Sequence, residues 1–117
     1  MNRILLIDDD LNFRRSLIIH MQMEGYQMTG AESPSQALSI LNKCRTENML
    51  PDVVITDIKM PEMDGRDLAS MIKNKYPELS IIMISAFDVP EHTLAFPLIK
   101  KPFKIQEFLN IIKKLKQ

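Results

Sequence analysis

Three short segments constrain this chain most: Arg3–Ile7 (RILLI), Asp52–Thr56 (DVVIT) and Ser80–Ser85 (SIIMIS). Each is rich in aliphatic residues and lacks the polar alternation of a strand with one face in water. Strands buried on both faces read this way, and they occur in parallel sheets covered by helices on both sides. The intervening stretches supply the helices. Asp10 predicts an N-cap for a helix from Leu11 to about Glu24, with Phe13, Leu17 and Met21 four apart on one face and Gly25 ending it. Tyr26–Ala31 reads as a weaker strand because it carries Gln27, Thr29 and Gly30. Ser33 or Pro34 opens a second helix, with Ala37, Leu38, Leu41 and Cys44 inward. A turn-rich loop over Asp57–Gly65 contains Pro61. Asp64 then caps a helix through about Lys75, with Leu68 and Ile72 inward and Pro77 stopping it. Leu98–Lys100 predicts a short fifth strand. Ile105, Phe108, Leu109, Ile112 and Leu115 form the apolar stripe of a last helix. Residues 86–96 match neither pattern. Repeated β-α units of this kind predict an α/β fold, a parallel sheet flanked by helices through right-handed crossovers.

The length of 117 residues suits a single domain over the whole chain. Fifteen basic residues balance fifteen acidic ones, which argues against a surface built to wrap nucleic acid. Apolar runs stay far below the roughly 20 residues that span a bilayer. The start, MNRILLID, has no signal-peptide apolar region of useful length. The single Cys44 excludes an internal disulfide and a cysteine-rich zinc site, and His20 and His92 are too far apart in sequence to suggest an imidazole metal centre. Together these features predict a cytoplasmic protein. Cys44 and the nine methionines read as packing residues, His92 as a surface histidine, and Lys113, Lys114 and Lys116 as charges suited to a helix C-terminus.

Open α/β sheets bind ligands beyond the carboxyl ends of their strands. There the first strand runs into Asp8, Asp9 and Asp10, the third into Asp57, the fourth into Ser85 and the fifth into Lys101. Carboxylates gathered at one edge repel one another unless a cation is present. An oxygen-only set suits a hard ion, Mg²⁺ or Mn²⁺. A lysine and a hydroxyl beside that ion would hold phosphoryl oxygens, and a free aspartate would be the nucleophile. Taken singly, each group has a plainer reading: a helix cap, a loop aspartate, a backbone-bonding hydroxyl and a surface lysine. Their joint placement at separate strand ends points to phosphoryl transfer onto a carboxylate.

The segment Val53-Val54-Ile55-Thr56-Asp57-Ile58-Lys59-Met60-Pro61-Glu62-Met63-Asp64-Gly65, with Ile4–Asp10 and Lys101-Pro102-Phe103, resembles the receiver domains of two-component response regulators. The resemblance covers nearly the whole chain. It implies a flavodoxin-like three-layer sandwich with five parallel strands in the order 2-1-3-4-5. It further implies that Asp57 accepts a phosphoryl group from a sensor histidine kinase or phosphotransfer protein. Asp9, Asp57 and the backbone carbonyl of Lys59 would ligate Mg²⁺, with Asp8 acting through water. Lys101 would pair with the phosphoryl oxygens, and Ser85 would bond them and move inward. Ala86 would leave the site accessible, and Pro61 and Gly65 would shape the loop after Asp57. Such a protein is a signalling phosphoacceptor rather than an enzyme. Its expected partners are the kinase, a second copy of itself or an output domain outside this chain, with no membrane and no direct nucleic-acid contact.

The chain departs from the family pattern in two ways. Leu98 stands where the family usually has an aromatic residue three before the lysine, and Phe96 could replace it only if Phe96 belonged to the strand. The stretch from Ser85 to Lys101 is also shorter than in the family by about five or six residues, or roughly one and a half helical turns. The fourth helix of the family pattern is therefore expected to be shortened or irregular. Lys59 and Phe87, each two residues beyond a site residue, would flank the path of a hydrolytic water. Two other functions compete with the receiver reading. An interaction module that no longer takes phosphate would fit Leu98 and the short connector. A haloacid-dehalogenase-type phosphatase would use the Asp-x-Asp spacing of Asp8–Asp10, but lacks that family's following Gly-Thr and leaves Asp57 unexplained.

Overall fold

The computed structural model describes residues 3–90 and 94–115. The elements run β1 (Arg3–Ile7), α1 (Leu11–Met23), β2 (Gln27–Ala31), α2 (Pro34–Thr46), β3 (Val53–Asp57), α3 (Gly65–Lys75), β4 (Ser80–Ser85), β5 (Leu98–Lys100) and α4 (Ile105–Leu115). The five strands form one parallel sheet in the order β2-β1-β3-β4-β5, as the resemblance implies.

The aliphatic strands bury both faces. Leu5, Ile7, Val54, Ile81 and Met83 pack with Ala37 and Leu41 of α2 and with Leu68, Ala69 and Ile72 of α3. Ile4, Leu6, Val53, Ile55, Ile82 and Ile84 turn the other way, against Leu17 and Met21 of α1 and Phe108, Leu109 and Ile112 of α4. The period-2 alternation of strand side chains thus sorts neighbouring residues into two cores. The expected caps are present. Asp10 Oδ1 accepts from the N–H groups of Asn12 and Phe13 at 3.0 and 3.2 Å, Ser33 Oγ from Gln36 at 3.2 Å, and Asp64 Oδ1 from Arg66 at 2.8 Å. Gly25 follows α1 with φ 94°, a left-handed conformation that glycine adopts without strain.

Three strand boundaries shift from their sequence expectations. Tyr26 precedes β2, because its N–H closes α1 on the Met21 carbonyl at 3.1 Å while the side chain is buried. Asp52 precedes β3. It accepts from the Arg3 N–H at 2.9 Å through its carboxylate, and its own N–H donates to the Arg3 carbonyl at 2.8 Å. At the other end Asp57 joins β3 rather than opening the loop.

No helix forms over 86–90 or 94–97, in agreement with the expected shortening of the family's fourth helix. Val89, Leu94, Phe96 and Leu98 instead pack against the core face that α2 and α3 cover. Phe96 lies outside β5 and so acts as a half-buried packing residue, while Leu98 pairs in register with Met83. Cys44 is half-buried on α2. Lys113 and Lys114 are exposed in the last turn of α4. His92 and Lys116 lie outside the described residues. No helix among the described residues is long and apolar enough to cross a membrane.

Candidate functional site

The parallel sheet delivers the ends of β1, β3, β4 and β5 to one edge. Asp8 leaves β1 with its N–H bonded to the Ala31 carbonyl of β2 at 3.0 Å. It is fully buried. Its Oδ1 accepts from the Asp10 N–H at 2.8 Å, its Oδ2 from Lys101 Nζ at 2.8 Å, and its backbone carbonyl from the Arg14 guanidinium at 2.6 Å. Burial of a carboxylate is tolerated where charge-assisted bonds of this kind satisfy it.

Asp57 closes β3 with its side chain 13% exposed. Its Oδ2 accepts from Lys101 Nζ at 3.3 Å and its Oδ1 from the Lys59 N–H at 3.4 Å. Asp9 is exposed beside them, and carboxylate oxygens of Asp8, Asp9 and Asp57 lie within 4.8 Å of one another. Burial pushes the Asp57 carboxyl above the usual aspartate range; Lys101 opposes this and the Asp8 charge reinforces it. Burial pulls the Lys101 ammonium down, but its bond to Asp8 and the charges of Asp8 and Asp57 outweigh that and leave it raised. The Lys101 ammonium bonds two of the three carboxylates gathered there, so the cluster carries excess negative charge. Oxygen donors at this spacing fit a small hard divalent cation.

Ser85 ends β4 and is fully buried. Its Oγ accepts from the Phe87 N–H at 2.9 Å and donates to the Phe87 carbonyl at 3.3 Å. The hydroxyl therefore reaches the right edge of the sheet but is engaged by its own chain. Its backbone carbonyl accepts from the Lys101 N–H at 2.7 Å, which ties the lysine to the end of β4. Lys101 precedes Pro102 through a cis peptide bond. Lys59 is exposed and holds its ammonium 4.7 Å from the centroid of the Phe87 ring, so these two flanking residues meet. Ala86 is exposed, as is Pro61 in the loop after Asp57. Glu62 of that loop accepts from the N–H and hydroxyl of Ser35 at 3.1 and 3.2 Å, anchoring it to the start of α2. Gly65 donates to the Ile58 carbonyl at 2.6 Å, and a methyl group in its place would overlap the Asp57 carbonyl.

Sequence reading placed Phe13 only on the inward face of α1. In the structure its ring also supports the site, with Lys101 Nζ 3.9 Å from the ring centroid. The available signal was the helix start at Asp10, which puts a residue three further on in the first turn beside the aspartates. Arg14, the next residue, was also missed.

A family model described as the response regulator receiver domain matches residues 4–113. The response regulator receiver protein CpdR of Brucella abortus is 32% identical over 98% of this chain and 97% of its own length. The DNA-binding transcriptional regulator NtrC of Proteus hauseri is also 32% identical, over 95% of this chain, but the chain spans only 24% of its length. Among solved structures, the response regulator TrrA of Thermotoga maritima in complex with Mg²⁺ and beryllofluoride superposes with a TM-score of 0.80 at 32% identity, covering 98% of this chain and 99% of that one. TrrA in complex with the histidine kinase ThkA gives a TM-score of 0.81 at 31% identity with 100% coverage of both chains.

Proposed function

The chain belongs to the response regulator receiver family of two-component signalling, and on that premise we propose that it takes a phosphoryl group from a phosphohistidine donor onto Asp57 with Mg²⁺ present. The carrying observation is the Lys101 ammonium bonded to both Asp8 and Asp57, beside a third carboxylate close enough to share an ion with them. A receiver domain is a signalling phosphoacceptor and not a conventional enzyme. Residues 1–117 form one such unit in this reading. The donor is a sensor histidine kinase or phosphotransfer protein, a choice supported by the kinase complex of the related TrrA.

The ion would be held by Asp8 through water, and by Asp9, Asp57 and the Lys59 carbonyl directly; Mn²⁺ fits the same donors. When bound, it supplies positive charge to the phosphoryl oxygens during transfer. Asp57 is partly exposed where Asp8 is fully buried, and its oxygen attacks phosphorus in line with the departing donor nitrogen. Lys101 stays fixed by Asp8 and turns its remaining donor capacity to the incoming phosphoryl oxygens. Ser85 would exchange its bond to the Phe87 backbone for one to a phosphoryl oxygen, moving the start of the 86–97 connector. That movement changes the surface offered to a partner, a second copy or an output domain outside this chain.

The phosphatase reading is disfavoured by the burial of Asp8, whose two carboxylate oxygens already accept from Asp10 and Lys101. The phosphate-independent module remains the competing outcome, favoured by Leu98 and by the lack of helix over the described residues 86–90 and 94–97. The test is incubation with Mg²⁺ and a small acyl phosphate or phosphoramidate, followed by intact mass. Addition of one phosphoryl group that needs both Mg²⁺ and Asp57, with Asp57→Asn as control, supports the proposal. No addition, together with no spectral response to beryllofluoride, overturns it in favour of the module.

A further inference from the structure

We infer that Phe13 is a positioning residue for Lys101, its ring face holding the ammonium between Asp8 and Asp57 where phosphoryl oxygens are to be received. The inference rests on the phosphoacceptor reading and adds a residue to it. Lysine carries its charge on a flexible four-carbon stem, so an ammonium reaching across from another strand needs restraint on more than one side. Here Asp8 and Asp57 take hydrogen bonds on one side. The Phe13 ring closes another, with Nζ 3.9 Å from its centroid and the lysine side chain 16% exposed. An aliphatic side chain there would strip water from the ammonium without return. The negative face of an aromatic ring returns part of that loss and favours the charged form.

The ring is itself held. Phe103 meets Phe13 edge-on, with centroids 6.0 Å apart and planes at 83°. Phe103 in turn stacks on Phe108 at 5.3 Å and 18°, and Phe108 is completely buried. A continuous aromatic path therefore runs from the α4 core to the ammonium. The backbone of Phe13 is fixed as well, since its N–H donates to the Asp10 cap at 3.2 Å. A residue in the first turn of α1 and a residue two beyond Lys101 are thus locked together around the charge that faces Asp57.

Fluorination of the ring separates this role from simple packing, because it weakens the negative face with little change of shape. Phenylalanine, 4-fluoro- and 3,4,5-trifluorophenylalanine are to be placed at position 13 of the full chain by nonsense suppression. The first readout uses the metal-free protein. The Lys101 ε-methylene protons should lie upfield through the ring current, and the ammonium protons should exchange with water progressively faster along the series. The second is beryllofluoride affinity with Mg²⁺, which should fall stepwise, by about 2- to 30-fold between phenylalanine and the trifluoro ring, the range spanned by such contacts. Phe13→Leu should lose the ring-current shift and match the trifluoro protein in affinity, while Phe13→Tyr should restore both. An affinity that stays flat across the series, or unshifted Lys101 methylene protons in the unmodified protein, overturns the inference. If the unmodified protein takes no beryllofluoride, the phosphoacceptor reading fails, and the metal-free readout alone then decides whether Phe13 holds Lys101.

Discussion

Replacing Gly65 by alanine should damage the site without touching any of its charged groups. Gly65 is the first residue of α3 and is buried against the strand that carries Asp57. Its φ lies outside the left-handed region, so the obstacle is space alone. A Cβ there would meet the Asp57 carbonyl carbon and the Ile58 Cα at 2.8 Å, and would overlap the Asp57 carbonyl oxygen outright. All three are backbone atoms, with no rotamer to turn aside. Ordinary contact begins near 3.4 Å, so the carbons alone must separate by about 0.6 Å and the oxygen by more. Overpacking of this kind costs about 1–3 kcal/mol, a sizeable share of the roughly 5–15 kcal/mol that holds a domain folded. Because two of the three displaced atoms belong to Asp57 and the third to the residue after it, phosphoryl uptake should slow by up to about 10²-fold, as expected for misplacement near 1 Å. Urea unfolding measures the first effect, and intact mass against time with acetyl phosphate and Mg²⁺ measures the second. Gly25→Ala is the control. It strains a φ of 94° but has nothing within 4 Å of the new methyl, so it should cost about 1 kcal/mol and leave uptake unchanged. A Gly65→Ala protein with wild-type stability and wild-type uptake would refute the steric argument.

The carboxylate edge yields further expectations. Mg²⁺ at about 100 times its dissociation constant should stabilise the folded protein by about 2.7 kcal/mol. Thermal unfolding should register this gain, EDTA should reverse it, and Asp9→Asn should remove most of it. For Asp57 the sign follows from its raised carboxyl. The stability gained from protonating it in the fold is complete below the ordinary aspartate value of about 3.9 and is lost as pH rises through the higher folded value. At neutral pH the ionised group is then a net cost, so Asp57→Asn should raise the metal-free unfolding midpoint while abolishing uptake; a lower midpoint would contradict the burial argument. Finally, Phe87→Ala and Lys59→Ala should each change the half-life of the acyl phosphate several-fold, because the two side chains, two residues beyond Ser85 and Asp57, meet each other beside the site. Equal decay in both variants and the unmodified protein would assign them no such role.

Much of the molecule was legible because its signals are local. The aliphatic runs at β1, β3 and β4 announce strands with two buried faces, and the caps at Asp10, Ser33 and Asp64 act on N–H groups two or three residues away. Chain order then implied that the ends of those strands share one edge, so Asp8, Asp9, Asp57 and Lys101 could be grouped before any distance was known. The boundaries at Tyr26 and Asp52 were less legible because each was decided by a partner elsewhere: the Met21 carbonyl in one case, Arg3 on a neighbouring strand in the other.

The amino-acid sequence by itself determined the layered fold, the family and the list of charged groups at the strand ends, since these follow from periodicity and from residue types at fixed points in the repeat. Only the tertiary structure decided how those groups divide their contacts. Both aspartates accept bonds from the chain at each oxygen, but Asp8 is completely buried while Asp57 keeps part of its side chain exposed. Ser85 is turned onto the Phe87 backbone, Phe96 packs outside the strand, and the ring of Phe13 lies against Lys101. These outcomes depend on distances of a few ångströms between segments as far apart as α1 and β5. Packing of the whole chain sets such distances, and no local pattern encodes them.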